Sequence, residues 1–266
     1  MHGLGNDFIL IDCFGKTLRN PSEHAKKLCQ RGFGVGADQL LLLYPSETAD
    51  FKMVIYNADG SEAEMCGNGI RCLAKYIADK QIVIKKEYEI ETKAGIIRTV
   101  LREDLVEVDM GMPEMESKNI PVNLKGRVVS HPLQIKDREF KITCVSIGNP
   151  HCVTFINDLD DFPVSTYGPE IENHPLFPNR TNVEFVNVVD DRNVQLRVWE
   201  RGAGETLACG TGACATIVAA VLNGLTHKRV TVHLEGGDLD VLWGEDNRVY
   251  MTGPATKVYE GFIELE

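Results

Sequence analysis

Cys66-Gly67-Asn68-Gly69 and Cys209-Gly210-Thr211-Gly212 decide the fold of this chain, because they are one motif present twice. The two cysteines lie 143 residues apart, at positions 66 and 209. The same offset relates further positions: Gly5-Asn6 to Gly148-Asn149, Gln39 to Asn182, Asn57 to Glu200 and Glu62 to Glu205. Single matches arise by chance, whereas one offset shared by five places indicates an internal duplication.

A repeat of this length predicts two homologous domains, each with its own core. Each half runs from short strand-like segments into the Gly-rich turn and then into one helix, over about residues 70–80 and 213–223. The predicted strands are Phe8–Ile11, Phe51–Tyr56, Glu87–Glu91, Cys152–Ile156, Val194–Trp199 and Val230–Leu234. The predicted fold class is therefore α/β, in the wider sense that includes α+β.

The domain boundaries follow from two similar segments, Met110–Pro113 and Met251–Pro254. They predict a first domain of residues 1–112 plus 255–266 and a second domain of residues 113–254. The tail Val258–Glu266 is expected to be a strand that returns to the first domain's sheet.

Composition limits the function. The chain has 266 residues, 43% hydrophobic and 25% charged, as in a soluble globular protein. A formal net charge of −11 argues against a nucleic-acid partner. No apolar run approaches the ~20 residues of a membrane span, and the first residues do not resemble a signal peptide. The eight cysteines are expected to be reduced thiols in the cytoplasm, and nothing in their spacing argues for a metal site.

Each motif cysteine stands just before a turn that opens a helix. The first amides of a helix have no internal partner and favour an anion, such as a substrate carboxylate. The same terminus favours thiolate and lowers a cysteine pKa from about 8.5. Two such motifs facing one amino acid predict epimerisation, in which one cysteine removes the α-proton and the other delivers a proton to the opposite face.

Each residue also has a purely structural interpretation. A cysteine before a helix is more often a small buried apolar residue than a catalyst, and only the duplication favours catalysis for Cys66 and Cys209. Cysteines without a matched motif are predicted to be core residues: Cys13, Cys29, Cys72, Cys144, Cys152 and Cys214. The asparagines can be ordinary turn formers, His151 a core histidine, and Glu200-Arg201 a solvated pair.

The motifs resemble those of the diaminopimelate epimerase family over nearly the whole chain. The resemblance rests on four stretches: Met1–Phe8, Asn57–Arg71, Gly148–His151 and Glu200–Gly212. Family members usually carry a few residues before the Met-His-Gly segment that form a first strand. The sequence here begins at Met1-His2, a departure that concerns the edge of the first sheet more than the chemistry.

The resemblance implies interconversion of LL- and meso-2,6-diaminopimelate, in lysine and peptidoglycan synthesis, without pyridoxal phosphate, metal or any other cofactor. It implies two pseudo-symmetric domains, each a curved mixed or antiparallel sheet around a central helix. It also implies a cytoplasmic homodimer whose ligand is the small-molecule substrate. Cys66 and Cys209 are then acid and base, with His151 as a supporting residue. The implied substrate-binding residues are Asn6, Gln39, Asn57, Gly67, Asn68, Asn149, Asn182, Glu200, Arg201, Gly210 and Thr211.

Three other functions stay open on the sequence alone. The nearest is a racemase resembling proline racemase, which shares the two-cysteine chemistry. An isomerase of the same fold acting on a non-amino acid is a second, although such relatives usually lack one or both cysteines. A non-catalytic amino-acid binding protein is the third, but it has no need for a thiol at both matched turns.

Overall fold

The computed structural model describes residues 1–264, which form a mixed α/β fold, as predicted. The chain divides into two compact units. Unit 1 comprises Met1–Asp109 together with the segment from Thr252 onward, and unit 2 comprises Met110–Met251. The second domain predicted from the repeat, residues 113–254, begins and ends three residues C-terminal to unit 2.

Unit 1 contains a mixed sheet and two helices. Strands β2 and β3 are parallel, β3 and β4 antiparallel, β4 and β6 parallel, and β6, β7 and β8 antiparallel. Its elements are β1 (His2–Gly3), β2 (Asn6–Asp12), α1 (Pro21–Cys29), β3 (Gln39–Tyr44), β4 (Phe51–Asn57), β5 (Glu62–Ala63), α2 (Gly67–Asp79), β6 (Glu87–Thr92), β7 (Gly95–Arg102) and β8 (Leu105–Asp109).

Unit 2 repeats this order of pairing. Strands β11 and β12 are parallel, β12 and β13 antiparallel, β13 and β15 parallel, and β15 and β16 antiparallel. The elements that begin in it are β9 (His131–Ile135), β10 (Arg138–Ser146), β11 (Pro150–Phe155), α3 (Val164–Glu172), β12 (Asn182–Val188), β13 (Asn193–Glu200), β14 (Gly204–Thr206), α4 (Gly210–Leu222), β15 (Arg229–Leu234), β16 (Gly237–Trp243) and β17 (Val249–Pro254), the last of which contains the change-over to unit 1.

The helices carry the duplication at the predicted offset. Helices α1 and α3 differ by 143 residues at both bounds, and so do α2 and α4. α2 packs against β1, β2, β3, β7 and β8, and α4 packs against β10, β11, β12, β15 and β16. In each unit the sheet therefore packs around the second helix. Residues Ala213–Ala220 of α4 are all buried, which is why this helix is apolar on every side.

Two helices were missing from the sequence prediction, which gave each half only one. α1 buries Ala25, Leu28 and Cys29, a spacing that follows one face of a helix, and it begins with Pro21. α3 contains Gly168 and Pro169, which are signals of a loop. A Cβ on Gly168 would lie 2.6 Å from the Trp199 ring, so close packing, and not a turn, requires the glycine.

The predicted tail strand is wrong for the part that the structure describes. Residues 257–264 have no strand pairing, and residues 265–266 lie outside the described range. Strand β17, which ends at Pro254, pairs with β8. Beyond it, the described part of the returning chain makes one backbone pairing, at Thr256, whose N–H and C=O both bond His2 at 2.9 Å. Between residues 257 and 264 the tail has no strand partner. Its apolar side chains are exposed, Phe262 among them.

The two ends of unit 2 lie side by side. Met110 N donates to Val249 O at 2.8 Å, and Val249 N donates to Gly111 O at 2.8 Å. None of the helices within residues 1–264 is long and apolar enough to cross a bilayer.

Candidate functional site

Cys66 is the N-cap residue of helix α2, immediately before Gly67. It has extended backbone angles (φ −140°, ψ 114°), and its Sγ accepts a hydrogen bond from Gly69 N at 3.4 Å. The Gly-x-Gly sequence thus forms the first helical turn itself, three residues earlier than predicted. A Cβ on Gly69 would lie 3.2 Å from Leu41 and 3.3 Å from Phe8, so a larger residue would require these two side chains to shift.

The orientation of the Asn6 amide is fixed by a carboxylate. Asn6 Nδ2 donates to Asp38 Oδ2 at 2.8 Å, and a carboxylate can only accept. Asn6 Oδ1 therefore turns toward Cys66 Sγ, at 3.7 Å, and toward Asn68 Nδ2, at 3.3 Å. The acceptor end of this amide faces the sulfur.

Arg31 holds that carboxylate in place. Its guanidinium donates to both Asp7 oxygens, at 3.0 and 2.8 Å, and to Asp38 Oδ1 at 2.9 Å. Burial alone would raise the pKa of Asp7, but the hydrogen bonds from Arg31 and from the Asp38 backbone lower it overall. Asp7 is therefore held as a carboxylate at neutral pH.

Gln39 and Asn57 form a second polar group of unit 1. They face each other in the β3–β4 register, and Gln39 Nε2 donates to Asn57 Oδ1 at 2.8 Å. Asn57 Nδ2 donates in turn to Ser61 Oγ at 2.9 Å. Gln39 Oε1 is buried and has no hydrogen-bond partner within residues 1–264, so it is an acceptor available to a donor such as an ammonium group.

Cys209 occupies the same position on α4. Its backbone is extended (φ −125°, ψ 112°), and its Sγ lies 3.5 Å from Thr211 Oγ1. Burial, followed by the Glu200 and Glu184 carboxylates, raises the pKa of Cys209 well above its usual range. Hydrogen bonds from Thr211 and the Gly212 backbone lower it only in part. This finding differs from the lowered pKa that the helix terminus alone predicts.

Asn149 and His151 connect Cys209 to a buried carboxylate. Asn149 Nδ2 donates to Thr211 Oγ1 at 3.3 Å, and Asn149 Oδ1 lies 2.9 Å from His151 Nε2. His151 Nδ1 lies 2.7 Å from Glu184 Oε1, and both of these side chains are fully buried.

The remaining predicted residues of unit 2 lie at the ends of β12 and β13. Asn182 Nδ2 donates to Pro150 O at 2.9 Å, and Asn182 Oδ1 accepts from Arg201 N at 2.9 Å. Glu200 Oε1 accepts from Thr206 Oγ1 at 2.6 Å. Arg201 is exposed, and its guanidinium donates to Asn179 O at 3.2 Å.

The structure thus brings the predicted residues together within each unit. Asn6, Cys66 and Asn68 form one group, Gln39 and Asn57 a second, and a third group contains Asn149, His151, Cys209 and Thr211. Gly67 and Gly210 are the first helical residues, where the amides lie outside the intrahelical ladder. Residues 1–264 contain no cluster of three side chains suited to holding a metal ion.

Sequence reasoning missed the residues behind these groups: Asp7, Arg31, Asp38, Glu184 and Thr206. Asp38 and Glu184 reach their partners, Asn6 and His151, over more than 30 residues of chain. The spacing along the sequence therefore gives no signal for these pairs.

The two-unit fold occurs in solved structures. A probable proline racemase from Agrobacterium radiobacter aligns with a TM-score of 0.71 at 15% identity, covering all of this chain and 92% of that one. A phenazine biosynthesis protein of the PhzF family from Bacillus anthracis aligns with a TM-score of 0.69 at 17% identity, covering 96% and 92%. At these identities the likeness defines the class of fold alone.

Sequence comparison gives the family. The diaminopimelate epimerase family model matches residues 1–116 and 143–258. The diaminopimelate epimerase of Acetivibrio thermocellus is 54% identical, covering all of this chain and 97% of that protein. That of Pelotomaculum thermopropionicum is 55% identical, covering 98% and 96%. The chain belongs to the diaminopimelate epimerase family, a family of isomerases that act on amino acids, as its motifs predict.

Proposed function

We propose that this protein interconverts LL- and meso-2,6-diaminopimelate by two-base chemistry at Cys66 and Cys209. The observation that carries the proposal is that each cysteine is the N-cap residue immediately before a matched helix, with its Sγ at the first turn. In the forward direction one cysteine, as thiolate, removes the α-proton, and the other, as thiol, delivers a proton to the opposite face. The thiols exchange protonation states, and the reverse reaction exchanges them back.

The remaining residues are proposed to hold the substrate. The first-turn amides at Gly67-Asn68 and Gly210-Thr211 receive the reacting carboxylate, where negative charge develops in the carbanion-like state. Glu200 is assigned to an amino group and Arg201 to the distal carboxylate.

Five amides are proposed to read the rest of the substrate: Asn6, Gln39, Asn57, Asn149 and Asn182. A substrate with an amino and a carboxylate group at each end needs this many polar partners. A shorter analogue would leave buried polar groups unpaired and would be rejected.

The test is α-proton exchange in D₂O. Reduced protein is incubated with LL-diaminopimelate, without added cofactor, and deuterium uptake and stereochemistry are followed together. We expect deuterium at the inverted α-carbon of the meso product. If a folded, reduced sample exchanged no α-proton of LL-diaminopimelate, the proposed substrate would be contradicted. Proline is tested under the same conditions, and exchange of its α-proton would support the racemase alternative.

We also propose that the enzyme works in the cytoplasm as a homodimer and supplies lysine and peptidoglycan synthesis. The exposed apolar side chains of the tail, including Val258, Tyr259 and Phe262, support an association of two copies. Light scattering coupled to size-exclusion chromatography should give twice the chain mass of 29.6 kDa. A monomer at micromolar concentration would contradict this.

A further inference from the structure

The two halves of the duplication differ beneath the cysteine turns. In unit 1 a Cβ on Gly69 would meet Leu41 and Phe8, whereas in unit 2 a Cβ on Gly212 would meet Glu184 Oε1 at 2.9 Å. Register relates the pairs, because Phe8 is opposite Gln39 and His151 is opposite Asn182. An apolar pair in unit 1 is therefore replaced by the ionisable pair His151–Glu184 in unit 2.

We propose that Glu184 is a positioning residue for Cys209, acting through His151, Asn149 and Thr211. The proposal rests on the proposed function, in which Cys209 must serve as a thiolate in one direction of the reaction. Glu184 controls the protons of His151, His151 fixes the Asn149 amide, and that amide directs the Thr211 hydroxyl hydrogen to Cys209 Sγ.

The first step follows from burial. Both side chains are fully buried, so a net charge on the pair is costly and the pair is held neutral overall. A neutral pair carries two protons: one lies between Nδ1 and Oε1, and the other is on Nε2. The count of two protons is the same whether the pair is an imidazolium with a carboxylate or a neutral imidazole with a carboxylic acid. Burial raises the pKa of Glu184 against the influence of His151, in keeping with tight retention of the shared proton.

The second step follows from hydrogen-bond direction. His151 Nε2–H donates to Asn149 Oδ1, so Asn149 Nδ2 must face Thr211 Oγ1 and donate to it. The Thr211 hydroxyl then keeps its own hydrogen for Cys209 Sγ, 3.5 Å away. In unit 1 the matched amide, Asn6, has the opposite orientation and turns its oxygen to the sulfur.

This hydrogen bond compensates for unfavourable surroundings. Glu200 on β13 acts electrostatically on both Glu184 and Cys209. Its negative charge raises the pKa of Cys209 and so disfavours the thiolate. Cys152, next to His151 on β11, is buried, and its pKa is raised well above its usual range, so it stays a neutral thiol. Without the donor from Thr211, Cys209 is a buried thiol beside carboxylate charge.

The test replaces the pair by its unit 1 counterpart, with His151→Phe and Glu184→Leu together. The readout is the pH dependence of iodoacetamide alkylation at Cys209, measured by peptide mass spectrometry with Cys66 in the same molecule as reference. We expect alkylation of Cys209 at pH 7.5 to fall about tenfold, the effect of one hydrogen bond to a charged group, while Cys66 is unchanged. Exchange of the substrate α-proton should fall by a similar factor.

The opposite sign would overturn the proposal. If Glu184 acted only as a nearby negative charge, its removal would lower the pKa of Cys209 and speed alkylation. Unchanged alkylation would also contradict the proposal. Because alkylation needs no substrate, this result is separate from failure of the proposed reaction.

Unit 2 offers a matched control. His233 Nδ1 lies 2.8 Å from Asp238 Oδ1, and His233 Nε2 lies 3.2 Å from Asn193 Oδ1, on the exposed β15–β16 hairpin. His233→Phe with Asp238→Leu should leave the alkylation of both cysteines unchanged.

A second measurement uses the unaltered protein, so it does not depend on whether the double variant folds. In the unaltered protein with ¹⁵N-labelled histidine, Nε2 of His151 should carry a proton. A spectrum in which Nε2 is unprotonated would contradict the proposal.

Discussion

Replacement of either Cys66 or Cys209 by alanine is expected to lower kcat for epimerisation by at least ~10³-fold. Each cysteine supplies one of two proton transfers, each worth typically ~10²–10⁴-fold, and inversion needs both. Alanine cannot exchange a proton. At Cys66 it also removes the Sγ that accepts from Gly69 N, a loss that concerns stability and not proton transfer. Substrate binding depends on other groups, so KM should change far less than kcat.

Cys72→Ala is the control for this experiment. Cys72 is a fully buried thiol inside α2, six residues after Cys66, and burial raises its pKa to about 12. Its replacement should leave kcat within a factor of two. If either Cys66→Ala or Cys209→Ala kept more than about a tenth of the parent kcat, the two-base assignment would be wrong. An equal loss in Cys72→Ala would point to general damage by thiol replacement.

Replacement of Arg71 by methionine is expected to lower the free energy of unfolding by about 3 kcal/mol. The Arg71 side chain is fully buried, and it donates from Nε to Pro254 O at 3.2 Å and from Nη1 to Gly67 O at 3.3 Å. Methionine fills part of the volume but leaves both carbonyls without these donors, at roughly 1–3 kcal/mol for each buried group. The denaturation midpoint in urea gives the change directly.

Arg98→Met is the matched control in the same unit. Arg98 is exposed and pairs with Glu87 on the surface, an interaction worth less than about 1 kcal/mol. Equal midpoints for the two variants would show that the buried guanidinium contributes little. The first-turn carbonyl of α2 and the returning segment at Pro254 would then be held by other contacts.

The duplication made much of the fold predictable. One offset gave the position of both central helices and both cysteines, because matched polar positions constrain two units at once. The short helices α1 and α3 were missed, since α1 has few apolar residues and α3 contains Gly168 and Pro169. The predicted tail strand failed because strand propensity says nothing about whether a partner edge is present.

The offset also explains why some residues of the site could not be predicted from the sequence. Reasoning from a repeat retains residues that recur and discards those that do not. Glu184 matches Leu41, so the repeat gave no reason to select it. His151 matches Phe8 and was selected only because of the family resemblance. Asp38 is hidden for another reason, because its hydrogen bond to Asn6 depends on pairing of β2 with β3 and not on local spacing.

Because the two ends of unit 2 are adjacent, this unit is suited to insertion into another protein and to circular permutation. A segment that starts and finishes at one place, with Met110 and Val249 hydrogen-bonded through their backbones, has the form of an insertion cassette. Its termini need no long spacer, and new termini can be opened in any exposed hairpin after the natural ones are joined. We expect circularly permuted forms of residues 110–251 to be accessible, so that one half of the duplication can be handled as a separate polypeptide.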